Sequence, residues 1–171
     1  MRVRLTLAAV LAAALVAVTG CHSDMTAATA GGARPNVPAA LNFTGTTLAG
    51  KRFDGASLAG RPAVLWFWAP WCATCAGEAG RVAWLATKYQ GKVDVLGVAG
   101  MGPEADMHTF VKEQQIGNVT SLSDNAGKVW RRFGITQQSL YVLLNAKGQV
   151  VTKGFLDDLA IQQAVARLAA V

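Results

Sequence analysis

Metal-binding and ionisable side chains are scarce in this chain of 171 residues. It has three cysteines, two histidines and ten acidic residues against sixteen basic ones, and charged residues make up only 15%. A closed zinc site needs four nitrogen or sulfur ligands. Outside one cysteine pair the only other candidates are Cys21, His22 and His108, which show neither a second C-x-x-C nor a paired-histidine spacing. Basic blocks interleaved with aromatics are also missing. Lys51-Arg52 and Arg131-Arg132 are the only basic doublets, so the net charge of +6 reads as solvated surface, and no nucleic-acid partner is expected. The apolar run over residues 5–18 is 14 residues long, short of the roughly 20 that a membrane helix needs. No proline follows Pro103.

What the chain does have is one concentrated stretch, Trp66-Phe67-Trp68-Ala69-Pro70-Trp71-Cys72-Ala73-Thr74-Cys75. Residues 63–68 are apolar on both faces, as in a central strand covered on both sides. An aromatic turn follows, then two cysteines two residues apart. Over 74–89, Ala79, Val82, Leu85, Ala86 and Tyr89 recur at helical spacing. Two thiols so spaced can close a small disulfide ring with little backbone movement. With Cys75 inside the first helical turn, Cys72 sits at the helix N-terminus, where free N–H groups and partial positive charge favour a thiolate. A thiolate attacks disulfides, so the stretch reads as a redox centre; a metal site and a purely structural disulfide are the other readings of the pair. Glu78 falls one turn after Cys75. It is either a proton relay that tunes the thiols or an acid favoured in the first turn by the helix dipole.

The leader organises the rest. A short basic segment with Arg2 and Arg4 precedes the 5–18 run, which fits a signal-peptide core. Val18-Thr19-Gly20-Cys21 resembles a bacterial lipobox, which implies cleavage before Cys21 and a lipid on its thiol. Cleavage elsewhere, with a free Cys21, is the alternative. Residues 21–40 are small, polar and proline-containing and read as a flexible tether. The expected division is a signal peptide at 1–20, a tether at 21–40 and one folded domain at 41–171.

Within that domain, Leu41-Asn42-Phe43 and Arg52-Phe53-Asp54 alternate around a turn-rich 45–50 and read as a hairpin. Strands are expected at 63–68, 93–99, 119–122, 139–144 and 149–155, and helices at 74–89, 106–115, through Val129, Trp130 and Phe133, and at 159–168. Asp124 and Asn125 are candidate caps for the third helix. The fold class is α/β: a mixed central sheet flanked by helices, with an N-terminal β-hairpin.

The W-A-P-W-C-x-T-C pattern at 68–75 resembles the active site of the thioredoxin superfamily. It is most similar to the TlpA/ResA-like branch and to actinobacterial secreted Dsb-type proteins, DsbE and DsbF. The resemblance implies a thioredoxin-like fold and an extracytoplasmic thiol–disulfide oxidoreductase, membrane-anchored or secreted. It implies Cys72 and Cys75 as the redox disulfide, exported proteins with thiols or disulfides as clients, and a membrane redox partner. That partner is of the VKOR type for an oxidase of exported proteins, or of the DsbD/CcdA type for a reductase in cytochrome c maturation. No cofactor and no metal is expected, since exchange needs only two sulfurs.

Three positions depart from that family. Trp66 stands where thioredoxin has a buried acid and cannot ionise. Gly80 stands where a helix-kinking proline is frequent. The alignment of 133–136 places Ser139 where the family has a cis-proline facing the cysteines, with Gln138 before it. A cis bond at a non-proline residue costs about 3–4 kcal/mol, so a trans bond is expected at Ser139. Trp71, Gln138 and Ser139 are the expected substrate-binding residues. Loss of the proline also leaves open a metal-binding lipoprotein that holds a soft cation on the same dithiol.

Overall fold

The structure, a computed structural model, describes Arg34 and residues 36–170. The expected signal peptide, Cys21 and most of the tether lie outside the described residues. Along the chain come β1 (Thr44–Thr47), β2 (Arg52–Asp54), β3 (Ala63–Trp68), α1 (Ala73–Lys88), β4 (Asp94–Ala99) and α2 (Glu104–Glu113). Then follow β5 (Thr120–Ser123), α3 (Lys128–Arg132), β6 (Leu140–Leu144), β7 (Val150–Gly154) and α4 (Asp158–Ala169). The strands form one sheet in the order β2-β1-β5-β4-β3-β6-β7. β3, β4 and β5 run parallel, and the other neighbours pair antiparallel. This is the mixed α/β sheet with an N-terminal hairpin that the pattern of elements predicts.

β3 fixes the layers. Because successive side chains point to opposite faces, its six apolar residues feed two cores at once. Val64, Trp66 and Trp68 pack with Ala79, Val82 and Leu85 of α1, Met107 and Phe110 of α2, and Ile161 and Val165 of α4. Ala63, Leu65 and Phe67 pack with Val129 and Trp130 of α3 and with Leu41, Phe43 and Phe133. Trp68 stacks on Phe110 at 4.5 Å between ring centroids, while Phe67 meets Trp130 edge-on at 5.8 Å. Each large side chain so buried contributes on the order of 2–3 kcal/mol. The result is a stiff strand whose C-terminal end carries the cysteine turn.

The first hairpin is displaced from its expected position. Leu41 closes a 3-10 turn (Ala39–Leu41), and β1 begins only at Thr44 and runs to Thr47, into the segment expected to be a turn. Leu41 and Phe43 alternate with Asn42 because they fill the core below α3: Phe43 lies 6.2 Å from Phe53 and 6.1 Å from Phe133. Ordered contacts also start ahead of Leu41. The Arg34 guanidinium pairs with both oxygens of Asp54 at 2.6 and 2.8 Å, and Val37 and Ala40 pack on the core. Asp124 does cap α3, accepting N–H bonds from Lys128, Val129 and Trp130, whereas Asn125 is exposed. No described helix is long and apolar enough to cross a membrane.

Gly97 of β4 sits between Trp68 and Ser121 on the neighbouring strands. A Cβ there would collide with Ser121 Oγ and stand 2.9 Å from Trp68 Nε1. Gly97→Ala should therefore destabilise the fold by about 2 kcal/mol in urea denaturation, since neither neighbour can retreat inside a packed sheet. An unchanged midpoint would show that β3 and β4 are less rigid than this packing requires.

Candidate active site

The end of β3 becomes the site within four residues. Residues 69–71 turn, and the Cys72 N–H closes the turn on the Ala69 carbonyl at 3.2 Å. Gly102 lets the loop after β4 approach this turn, since a Cβ there would stand 2.5 Å from Pro70 Cγ. The Trp71 indole N–H donates to the Met101 carbonyl at 2.7 Å, which pins the ring while leaving it 58% exposed. Trp68, by contrast, is wholly buried and belongs to the core.

Cys72 and Cys75 form a disulfide, with their Cα atoms 5.2 Å apart. Cys72 is the N-cap of α1, and its Sγ accepts the N–H of Cys75 at 3.0 Å. One of the orphan donors at the start of the helix is thereby aimed at sulfur. No acidic residue occupies the first turn. Nothing anionic there competes with a thiolate on Cys72 for the helix end. Cys72 keeps a small exposed surface, and Cys75 has none. Attack from outside is thus directed to Cys72.

Behind the disulfide lies a carboxyl group. Glu78 is not the first-turn acid of the simpler expectation: it lies in the second turn of α1 and is buried. Its Oε2 accepts the Trp66 indole N–H at 2.8 Å, and its Oε1 lies 2.6 Å from the Ser139 hydroxyl. Burial pushes the Glu78 carboxyl up from its ordinary value. The Ser139 and Trp66 bonds pull against this shift, and the Asp158 charge adds to it. Tyr141, paired with Trp66 across β3 and β6, has its phenol pushed up, first by burial and then by the charges of Glu78 and Asp158.

Ser139 differs most from its expected part. Its side chain turns inward to Glu78, and its N–H donates to the Phe67 carbonyl at 2.8 Å. The hydroxyl's proton and the N–H are thus both committed within the chain; Gln138 beside it is half-buried. No cis peptide bond occurs among the described residues, and Ser139 has φ +62°. Proline, fixed near −65° and lacking an N–H, does not fit this loop. Trp66 was set aside in the sequence because it cannot ionise, yet it serves as a hydrogen-bond donor. No local signal pointed to either contact: Ser139 is 61 residues from Glu78 and Trp66 is 12. Among the described residues no group of three His, Cys, Asp or Glu could hold a metal ion.

A carboxyl with a raised folded-state pKa binds its proton more readily in the folded than in the unfolded chain. Its contribution to stability is complete below the ordinary glutamate value and is lost as pH rises through the raised folded value. Glu78→Gln should flatten the decline of unfolding free energy across that window. An unchanged pH slope would mean that Glu78 titrates as an exposed group.

Comparison with known proteins agrees with this geometry. The chain is 42% identical over 108 residues to the soluble secreted antigen MPT53 of Mycobacterium tuberculosis (strain H37Rv), covering 63% of this chain and 61% of that protein. It thus spans about three fifths of the length of the curated relatives with which it aligns. Its fold superposes on MTB DsbF, solved in mixed oxidised and reduced forms, with a TM-score of 0.73 and 42% identity, covering 77% of this chain and 98% of that one. A secreted M. tuberculosis disulfide oxidoreductase homologous to E. coli DsbE gives a TM-score of 0.67 and 35% identity, with the same coverage. These likenesses establish the thioredoxin-like fold. The AhpC/TSA family matches residues 38–156, a stretch that holds the sheet, the cysteine pair and Glu78, and the chain belongs to that family.

Proposed function

We propose that this chain is an extracytoplasmic thiol–disulfide oxidoreductase that oxidises cysteines of exported proteins through Cys72 and Cys75. The observation that carries the exchange chemistry is the Cys75 N–H aimed at Cys72 Sγ, at a helix end with no acid in its first turn. The Trp66-Phe67-Trp68 and Pro70 pattern and the likeness to DsbE- and DsbF-type proteins support the oxidase direction. Whatever stabilises the Cys72 thiolate stabilises the reduced form, and so makes the disulfide a stronger oxidant. The similarity to secreted oxidoreductases supports the compartment and the chemistry.

In the proposed reaction a client thiolate attacks Cys72 Sγ, the Cys72–Cys75 bond breaks, and Cys75 leaves as a thiolate. Glu78, one turn further along α1, is the acid that gives this buried thiolate its proton. A second client thiolate then attacks the client sulfur of the mixed disulfide and releases Cys72 as a thiolate held by the Cys75 N–H. Two electrons pass from the client to the cysteine pair, and the client leaves with a new disulfide. A membrane partner of the VKOR type would restore the enzyme's disulfide. A reductase recharged through a DsbD/CcdA-type donor is the reverse reading. Trp71, exposed beside Cys72, and Gln138, in the loop before β6, are the residues that would meet the client chain.

Equilibration with glutathione buffers tests the direction: a potential near about −120 mV supports the oxidase, and one near about −270 mV the reductase. Cys72→Ala should reduce catalysed RNase reoxidation to the uncatalysed rate. A Cys72→Ala/Cys75→Ala variant as active as the parent chain would end the proposal.

Anchoring is a separate part of the proposal. The lipobox-like Val18-Thr19-Gly20-Cys21 supports cleavage before Cys21 and a lipid on its thiol. Cys21→Ala should move the protein from the membrane fraction to the medium and abolish labelling by a radioactive fatty acid. Labelling that survives the substitution would refute lipidation at Cys21.

A further inference from the structure

The Glu78 carboxyl has two unlike partners, and the difference assigns its proton. Trp66 can only donate, so Oε2 is an acceptor in both states of the acid. The titrating proton therefore belongs on Oε1, which faces the Ser139 hydroxyl at 2.6 Å. A hydroxyl donates and accepts. It can give a hydrogen bond to the carboxylate and take one from the carboxylic acid without moving. Among the described residues no other side chain is hydrogen-bonded to this carboxyl. Asp158 of α4 acts on it only through charge, Tyr141 of β6 feels the Glu78 charge without bonding to it, and on α1 itself Cys75 is in the disulfide while Arg81 is paired with Asp158. Ser139 is also the last residue before β6 in a loop that faces solvent. Thr136 and Gln137 are exposed, Gln138 is half-buried, and Ser139 is 8% exposed.

We propose that the Ser139 hydroxyl is the proton port of Glu78, the group through which protons enter and leave the buried carboxyl as the cysteine pair turns over. This rests on the reading that Glu78 serves Cys75. When the disulfide opens, Glu78 transfers its proton to the Cys75 thiolate and becomes a carboxylate. Ser139 Oγ then passes its proton to Oε1 and takes another from solvent water. Oxidation of the dithiol runs the same path outward. Proline at this position could carry out neither transfer. The loop is built for the hydroxyl, since the positive φ and the N–H bond to Phe67 hold Ser139 with its side chain turned inward.

The test uses Ser139→Ala, Ser139→Gly, Glu78→Gln and the double variant Ser139→Ala/Glu78→Gln. Glycine keeps the N–H and accepts the positive φ more readily than any other residue, so it controls for folding. Single-turnover reduction of the disulfide by dithiothreitol, followed by tryptophan fluorescence across pH, is the readout. Glu78→Gln should slow reduction by about a hundredfold, as expected for loss of a general acid. Both Ser139 variants should slow it by about tenfold, the scale of one lost hydrogen bond to a charged group. The inflection belonging to Glu78 should shift to higher pH, because a donor to the carboxylate is gone. The double variant should be no slower than Glu78→Gln alone. Parental rates in both Ser139 variants, with Glu78→Gln slow, would overturn the port and leave the Glu78 role standing. A parental rate in Glu78→Gln would overturn the Glu78 role and the port with it. Losses that add in the double variant would overturn the port, since they would show Ser139 acting elsewhere.

Discussion

A carboxyl group buried behind a disulfide needs a hydrogen-bond partner for each oxygen, because an unpaired buried polar atom costs on the order of 1–3 kcal/mol or more. Glu78 meets that requirement with one donor from β3 and one hydroxyl from the loop before β6. Three separate parts of the chain are tied at one point as a result: α1 through the acid, β3 through Trp66 and the loop before β6 through Ser139. The shape of the Ser139 loop follows from the same requirement. Its serine must turn inward while its N–H reaches back to Phe67, and the backbone accepts a left-handed conformation to do both.

The two sulfurs owe their different surroundings to their places on α1. Cys72 is at the cap, slightly exposed, with a peptide N–H directed at it. Cys75 is within the first turn, fully enclosed, with an acid one turn behind. In the proposed reaction one sulfur holds negative charge and the other exchanges a proton. The place of Cys72 at the cap arises from helix geometry and needs no charged residue near it. It suits a pair in which the outer sulfur meets the client and the inner one completes the ring.

Much of this was legible in the chain. The unbroken apolar run at 63–68 announced a strand covered on both faces, and Val64, Trp66 and Trp68 against Ala63, Leu65 and Phe67 bear that out. Helical spacing gave α1 to within a residue at each end. The first hairpin was misplaced because Leu41 and Phe43 mimic strand alternation while filling a core from a 3-10 turn, and nothing local separates the two cases. Asp124 was recognisable as a cap, but its three N–H bonds depend on how the chain folds back after β5.

The sequence by itself determined the redox pair. A C-x-x-C after a buried strand and before an amphipathic helix puts the first sulfur at the helix N-terminus wherever that helix packs, because the placement follows from backbone geometry over a few residues. Only the tertiary structure decided what Glu78, Trp66 and Ser139 do. Their meeting depends on strand register and on the path of a distant loop. The inward turn of Ser139 comes from its left-handed backbone and its N–H bond to Phe67, a contact between residues far apart in the chain that no neighbouring residues specify.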